Sequence, residues 1–220
     1  MLLRQLLLVA APLALAVVLW FHPPGGENIY EDVLDDVGAW LFVHTVFLLF
    51  IPLMAIATYL LLSGLRSGAA TVSRIALIFF LVFYTAYEVT VGVGTGVLVD
   101  YANGLPASER AVIADAIQDY NGSAILGDPI SVSLVLGFFG WVVAMLAAAV
   151  AFRRAGAGWP VALLIGLSAL FAIHPPPVGP AALLCFAAAA VLIERWRKRE
   201  AQELSSRTAD GVVSPEAIVT

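Results

Sequence analysis

The sequence predicts an all-α integral membrane protein, a bundle of six transmembrane helices with a short amphipathic helix in the longest loop. Of its 220 residues, 61% are hydrophobic and only 12% are charged. Soluble domains carry about 25% charged residues, so a chain this poor in charge is suited to lipid rather than water. The remaining charges alternate in sign from one loop to the next, and this alternation sets the predicted topology.

Six apolar segments approach or exceed the ~20 helical residues that a bilayer crossing requires. The predicted spans cover residues 2–21, 39–62, 74–99, 130–152, 159–173 and 181–196. Trp40 is expected to anchor the second span at the membrane interface, and Pro52 is expected to kink it. A cleaved signal peptide is the alternative for the first segment, but its apolar run is long for a signal core, which favours a retained span.

The last two segments are shorter than a straight span, so a re-entrant hairpin is the alternative to two short crossings. Two crossings are preferred because HPPPVGP (174–180) separates the segments and the charged sequence WRKRE (196–200) follows the second. Prolines end helices, and a basic cluster after an apolar segment is typical of its cytoplasmic end. Residues 200–220 show little periodicity and are predicted to form a disordered cytoplasmic tail.

The longest loop, residues 100–129, is predicted to contain a helix of its own. Pro106-Ala107-Ser108-Glu109 is a helix-start pattern, and apolar residues then recur at helical spacing at Val112, Ile113, Ala116, Ile117 and Tyr120. The acidic residues of this segment fall largely on another face. We therefore expect a short amphipathic helix that either lies on the membrane surface or caps the bundle.

Basic residues indicate which side of the membrane each loop occupies, because cytoplasmic loops are enriched in arginine and lysine. With six spans, ten of the 11 basic residues fall on one side and only Arg110 falls on the other. The opposite side carries acidic loops such as ENIYEDVLDD (27–36). Both termini are therefore predicted to be cytoplasmic, and the composition is typical of a prokaryotic cytoplasmic membrane protein.

The composition argues against cysteine-based cross-links or metal sites and against a nucleic-acid partner. The single cysteine, Cys185, permits neither an intramolecular disulfide nor a thiolate metal cage. Outside the tail there is no basic patch of the kind that nucleic acid requires.

Gly92 and Gly96 form a small-xxx-small face that allows close helix approach, so a partner helix or a second copy of the chain could dock there.

Four side chains that could bind a metal lie in or at the ends of the apolar segments: His22, His44, Glu88 and His174. A helical rise of ~1.5 Å per residue places all four near the outer boundary of the ~30 Å hydrocarbon core. Three histidines and a carboxylate suit a divalent metal such as zinc, or copper or iron. Haem ranks lower, because its axial histidines normally lie mid-helix and only His44 does so.

His22 and His174 share a local pattern, since each is the last residue before a proline break. The residue before proline is disfavoured in helical geometry, so each imidazole is expected at a helix end. The shared pattern indicates either a parallel internal duplication or simply the common ending of apolar helices at proline.

Glu88 is the only carboxylate near the middle of a predicted span, and a charge there costs about 2.5 kcal/mol or more on insertion scales. It should therefore face the bundle interior, with Tyr84 one turn earlier on the same face. One interpretation makes Glu88 a metal ligand, a proton carrier or a general base, with His44 beside it. The structural interpretation makes it a hydrogen-bonded residue that joins helices.

These features leave three hypotheses for function. The first is a metal-binding or catalytic site of His22, His44, Glu88 and His174, with Glu88 and His44 as catalytic groups, acting by lipid hydrolysis or redox chemistry. The second is a small proton-coupled transporter that uses Glu88. The third is a non-catalytic scaffold that docks through Gly92 and Gly96. Convergence of the four polar side chains is what the first hypothesis requires.

Overall fold

The computed structural model describes residues 2–24, 26, 28–127 and 130–209, which are 83% helical and contain no strand. Glu27, Asp128 and the end of the predicted tail, 210–220, lie outside these residues. Eight helical segments run in order: α1 Leu3–Trp20, α2 Ile29–Leu34, α3 Val37–Leu61, α4 Gly68–Asn103, α5 Ala107–Asn121, α6 Val132–Arg154, α7 Trp159–Ala172 and α8 Val178–Ala209.

Five of these helices, α1, α3, α4, α6 and α8, are long and apolar enough to cross a membrane. The predicted all-helical membrane architecture is confirmed at this level. α7 is apolar but shorter, and its last turn, Ser168–Ala172, is a 3-10 helix. α4 is longer than the predicted span 74–99, because Ser67 caps it by accepting a hydrogen bond from the amide of Ala70.

One end of the bundle, here called the arginine end, is held together by arginine side chains. Arg4 at the start of α1 pairs with Glu194 on α8 at 2.9 Å. Arg4, Arg74 and Arg197 all donate hydrogen bonds to backbone carbonyls within residues 60–65, where α3 ends. The last carbonyls of a helix have no partner within the helix, so these arginines satisfy them and tie α1, α4 and α8 to α3.

α7 connects the arginine end to the opposite end of the bundle. Phe152, near the end of α6, packs edge-on against Trp196 of α8 at 6.3 Å, and Arg153 donates to the carbonyl of Ala157 before α7 begins. His174, just after α7, contacts His22 at the end of α1. The opposite end is therefore called the histidine end, and α7 runs the length between the two.

The predicted loop helix is present as α5, and it caps the histidine end together with the short helix α2. Ile117 of α5 packs into a buried cluster with Ile29 and Val33 of α2 and with Trp40 and Val99 of the long helices. The side-chain oxygen of Gln118 accepts a hydrogen bond from the amide of Ile29 at 3.3 Å. Of the two placements expected for this helix, the structure has the cap.

Gly92 and Gly96 do permit close helix approach, but the helix they contact is α3 of the same chain. A Cβ atom on Gly92 would collide with the imidazole of His44, and one on Gly96 would lie 2.9 Å from Trp40. Both glycines are buried. This face of α4 therefore packs against α3 within the chain, and docking of a partner helix or a second copy through it stays a prediction.

The predicted disorder of the tail does not begin at residue 200, because α8 continues through residues 200–209. The sequence of this stretch, EAQELSSRTA, contains neither proline nor glycine and includes good helix formers. A helix that is already nucleated in the bundle adds such residues at little cost. The absence of apolar periodicity in residues 200–209 thus indicates an exposed extension of the helix rather than a disordered segment.

Candidate metal centre

The three histidines of the chain converge at the histidine end of the bundle. The Nε2 atom of His22 lies 3.3 Å from Nε2 of His44 and 3.1 Å from Nε2 of His174. One ligand atom from each ring falls within 4.8 Å of the others. Zinc–nitrogen bonds of 2.0–2.1 Å in a tetrahedral site place two nitrogens about 3.3 Å apart, so the spacing around His22 already suits one ion.

Each histidine is positioned by a different local feature. His22 follows α1, where its amide donates to the carbonyl of Leu19 before Pro23 ends the helix. His44 lies two turns into α3. His174 follows the 3-10 turn of α7 and precedes Pro175. The expectation that the two His-Pro sequences place imidazoles at helix ends is confirmed.

The Nδ1 atoms of two histidines face backbone carbonyls, which act only as acceptors. Nδ1 of His22 lies 2.6 Å from the oxygen of Pro23, and Nδ1 of His44 lies 2.8 Å from the oxygen of Trp40. Nδ1 must therefore carry the proton in both rings, which assigns the lone pair of each neutral ring to Nε2. Burial lowers the pKa of His22 and so favours this neutral form.

A hydroxyl performs the same role for the third histidine. Nδ1 of His174 lies 2.9 Å from the hydroxyl of Tyr84, which in turn lies 3.3 Å from the carbonyl oxygen of Ala172. A consistent chain has Nδ1 donating to the hydroxyl and the hydroxyl donating to the carbonyl. All three Nε2 lone pairs are then directed toward one another, an arrangement that a bound cation stabilises.

Glu88 lies beside the rings of His44 and His174, and among the described residues it has no hydrogen-bond partner. Its Oε2 is 3.9 Å from Nε2 of His44, and its Oε1 is 3.9 Å from Nδ1 of His174. The side chain is 1% exposed, and both oxygens are buried without a partner among the described residues. Glu88 also begins the π-helical stretch Glu88–Gly94 of α4. Such widened turns occur frequently at functional sites.

All four predicted residues line a single cavity of about 310 Å³. The other walls come from α2, α3, α4, α5 and the loops that follow α1 and α7, and include Gly26, Ile29, Trp40, Tyr87, Val91, Asn121 and Pro175. Small-molecule sites generally occupy cavities of this size or larger, with few polar groups among apolar walls. The arrangement can hold a metal ion and a small ligand beside it.

Trp40 was expected at the membrane interface, and the structure corrects this to a place in the site. It is 4% exposed, its ring stacks on His44 at 4.3 Å, and its indole nitrogen donates to the carbonyl of Gly92 at 2.7 Å. The sequence feature that could have predicted this place is the position of Trp40 four residues before His44, because residues at that spacing share a helix face.

Asn121 is a second cavity residue that the sequence did not assign to the site. Its Oδ1 accepts a hydrogen bond from the hydroxyl of Thr95 at 3.3 Å, which fixes the end of α5 to α4 above the histidines. Only the docking of α5 onto the bundle brings Asn121 there. The amphipathic pattern of α5 indicated a buried face but did not identify the surface on which it packs.

No protein-family model, no curated protein and no solved structure matches this chain.

Proposed function

We propose that this membrane protein holds one divalent transition metal, zinc foremost, between His22, His44 and His174, with Glu88 as the fourth protein group of the site. The observation that carries the proposal is the set of Nε2 atoms, two pairs of which are 3.1 and 3.3 Å apart. Imidazole nitrogen is a ligand that zinc, copper and iron share. Zinc is preferred because three histidines with an open fourth position form a known type of catalytic zinc site.

A haem is the less suitable occupant of this site. The two axial histidines of a haem must lie on opposite faces of a flat macrocycle. Here the Nε2 atom of His22 lies within 3.3 Å of the Nε2 atoms of both His44 and His174. A compact ion satisfies all three nitrogens at once, and a porphyrin plane between any two would exclude the third.

The chemistry we propose is metal-assisted hydrolysis at the histidine end of the bundle. A zinc ion held by His22, His44 and His174 would supply Lewis-acid chemistry there. Glu88, with two unpartnered oxygens 3.9 Å from ring nitrogens, is suited to take the proton of a reacting water. His44 would then act as a ligand rather than as the base, because its one lone pair, on Nε2, faces the other histidines.

We further propose six crossings, with the arginine end in the cytoplasm and the metal site near the outer surface. The direction of α7, from Arg153 to His174, supports a separate short crossing over a re-entrant hairpin. The concentration of arginine at one end supports the orientation by the positive-inside rule. This topology places both termini in the cytoplasm.

A proton-coupled transporter is the second candidate, and the observation that favours it is the unpartnered carboxylate of Glu88 inside a cavity. A transporter also needs a route from that cavity to the arginine end. Beneath the histidines, Phe47, Trp141 and Phe171 are fully buried, and Phe171 packs at 5.6 Å from Phe47 and 5.2 Å from Trp141. This buried aromatic layer supports a stationary metal site over alternating access.

The test is elemental analysis of protein purified in detergent through a tag that contains no histidine. Because the chain has three histidines and all line the site, the triple variant is histidine-free. We expect about one metal ion per chain in the wild type, as a catalytic site of three histidines holds one. The metal content should fall sharply in His44→Ala and vanish in the triple variant. Thermal unfolding of each sample serves as the control for folding.

Equal metal content in the wild type and in the triple variant would overturn the proposal. So would a well-folded wild type that takes up no zinc, copper or iron after reconstitution. In the second case, proteoliposomes with an internal pH dye should be compared for the wild type and Glu88→Gln. Proton flux that Glu88→Gln abolishes would establish the transporter, whereas a change in stability alone would favour the scaffold.

A further inference from the structure

A large apolar groove runs along the outside of the bundle between α6 and α7, far from the histidines. Its volume is about 740 Å³, and its walls are almost wholly apolar. Ala149, Ala162 and Gly166 line it and present little or no side chain to it. A groove of this kind in the lipid-facing surface has the character of an acyl-chain site.

Two arginines stand at the arginine end of this groove. Arg153 and Arg154 are the last residues of α6, and both line the groove. The guanidinium of Arg153 lies 4.6 Å from the centre of the Trp159 ring, which holds it at the mouth. Arg154 is exposed and has no acidic partner among the described residues. The mouth therefore offers two positive charges to one ligand.

We infer that the α6–α7 groove binds an anionic phospholipid, with an acyl chain along Ala162 and Gly166 and the phosphate at Arg153 and Arg154. Guanidinium groups bind phosphate oxygens in a bidentate geometry, which makes arginine suited to this role. Basic pockets between membrane helices on the cytoplasmic side bind anionic headgroups. Trp159, 73% exposed, has the position of an interfacial anchor beside the headgroup.

The inference is independent of the metal site, because no residue of the groove lines the cavity of the histidines. A lipid that fills the groove would complete the packing of the bundle between α6 and α7. Loss of the lipid is then expected to lower the thermal stability of the protein without changing its metal content.

The test is native mass spectrometry of the detergent-solubilised protein with phosphatidylglycerol or phosphatidylcholine of identical acyl chains. We expect phosphatidylglycerol to be retained in preference. Arg154→Ala should weaken its binding about fivefold, since one basic residue near an anionic headgroup contributes ~1 kcal/mol. Arg66→Ala is the matched control, because Arg66 is an exposed arginine in the α3–α4 loop of the same end and lies outside the groove.

A second variant tests the acyl-chain part of the site. A Cβ atom on Gly166 would meet no atom within 4 Å, so the side chain of Gly166→Leu has room to extend into the groove. This variant should weaken binding of both lipids. Glycerol phosphate, which lacks acyl chains, should bind measurably neither to the wild type nor to Gly166→Leu. Equal retention of the two lipids would overturn the inference. Equal losses in Arg66→Ala and Arg154→Ala, or undiminished binding in Gly166→Leu, would do so as well.

Discussion

The Nε2 atoms of His22 and His174 lie 3.1 Å apart, although 152 positions separate the two residues along the chain. Each nitrogen carries a lone pair, because each ring has its proton on Nδ1, facing Pro23 in one case and Tyr84 in the other. Two acceptors at this distance repel each other unless a cation lies between them or one ring gains a second proton. The carbonyl of Pro23 and the hydroxyl of Tyr84 thus prepare the pair to share an ion.

Replacing Tyr84 by phenylalanine should weaken metal binding while leaving the fold intact. The hydroxyl of Tyr84 is the partner of His174 Nδ1, and removing such a partner typically costs 10–100-fold in metal affinity. Zinc dissociation constants, measured by competition with a chromogenic chelator, would show the change. Tyr59→Phe is the control, because Tyr59 is exposed and lies outside the site. Equal affinities for the wild type and Tyr84→Phe would contradict the assigned tautomer.

A single methyl group on Gly92 should displace His44 from the site. The Cβ of Gly92→Ala would collide with the imidazole ring, while Trp40 stacks against that ring and its indole is bonded to the Gly92 carbonyl. Forcing extra volume into a packed site costs about 1–3 kcal/mol. We expect a lower thermal midpoint and reduced zinc content. Gly38→Ala is the control, since a Cβ there meets no atom within 4 Å. Retention of full zinc content by Gly92→Ala would show that His44 is not required.

Cysteine labelling tests the proposed topology. Cys185 is the only cysteine, so Cys185→Ser provides a background without thiols. Into it we would place Ser63→Cys at the arginine end or Ser108→Cys on α5, both at exposed positions. On intact cells a membrane-impermeant maleimide should label the residue-108 thiol, and the residue-63 thiol only after permeabilisation. The reverse pattern would invert the orientation, and labelling of both in intact cells would reject it.

The arginine end should matter for stability but not for metal binding. Arg197 donates hydrogen bonds to the carbonyls of Leu61 and Ser63 and pairs with Glu194 at 3.3 Å. Leaving such carbonyls without a partner costs about 1–3 kcal/mol. Arg197→Ala should therefore lower the thermal midpoint in detergent, with zinc content unchanged. Lys198→Ala, which removes the same charge from an exposed neighbour, should have little effect. Similar losses in both variants would mean that net charge, not the hydrogen bonds, stabilises this end.

Much of the architecture could be predicted because lipid imposes a simple rule. Backbone polar groups in the hydrocarbon core must be satisfied within the chain, so long apolar segments become helices. That rule located the helices that carry His44 and Glu88, and the prolines after His22 and His174 located the ends of α1 and α7. The same reasoning underestimated the length of α4 and α8. Backbone groups of polar residues at helix ends can hydrogen-bond to water, so the rule does not predict whether those residues are helical.

The candidate residues were also identifiable in advance, since a histidine or a carboxylate in an apolar segment is rare and costly. Counting residues along each helix placed His22, His44, Glu88 and His174 at similar depth, and depth depends only on the helical rise. Rotation about each helix axis and the order of helices in the bundle do not follow from that count. These decide whether four side chains at one depth meet or point apart.

Sequence alone determined an apolar helical chain with its polar, metal-competent residues near one boundary, because hydropathy and helical rise act locally. Tertiary structure decided that the three histidines share one centre beside Glu88 and that Trp40 supports His44. It also decided that His44 of the same chain occupies the space beside Gly92. Those contacts join residues far apart in the chain. They depend on which helix faces pack together, and packing is settled by the shapes of many side chains at once.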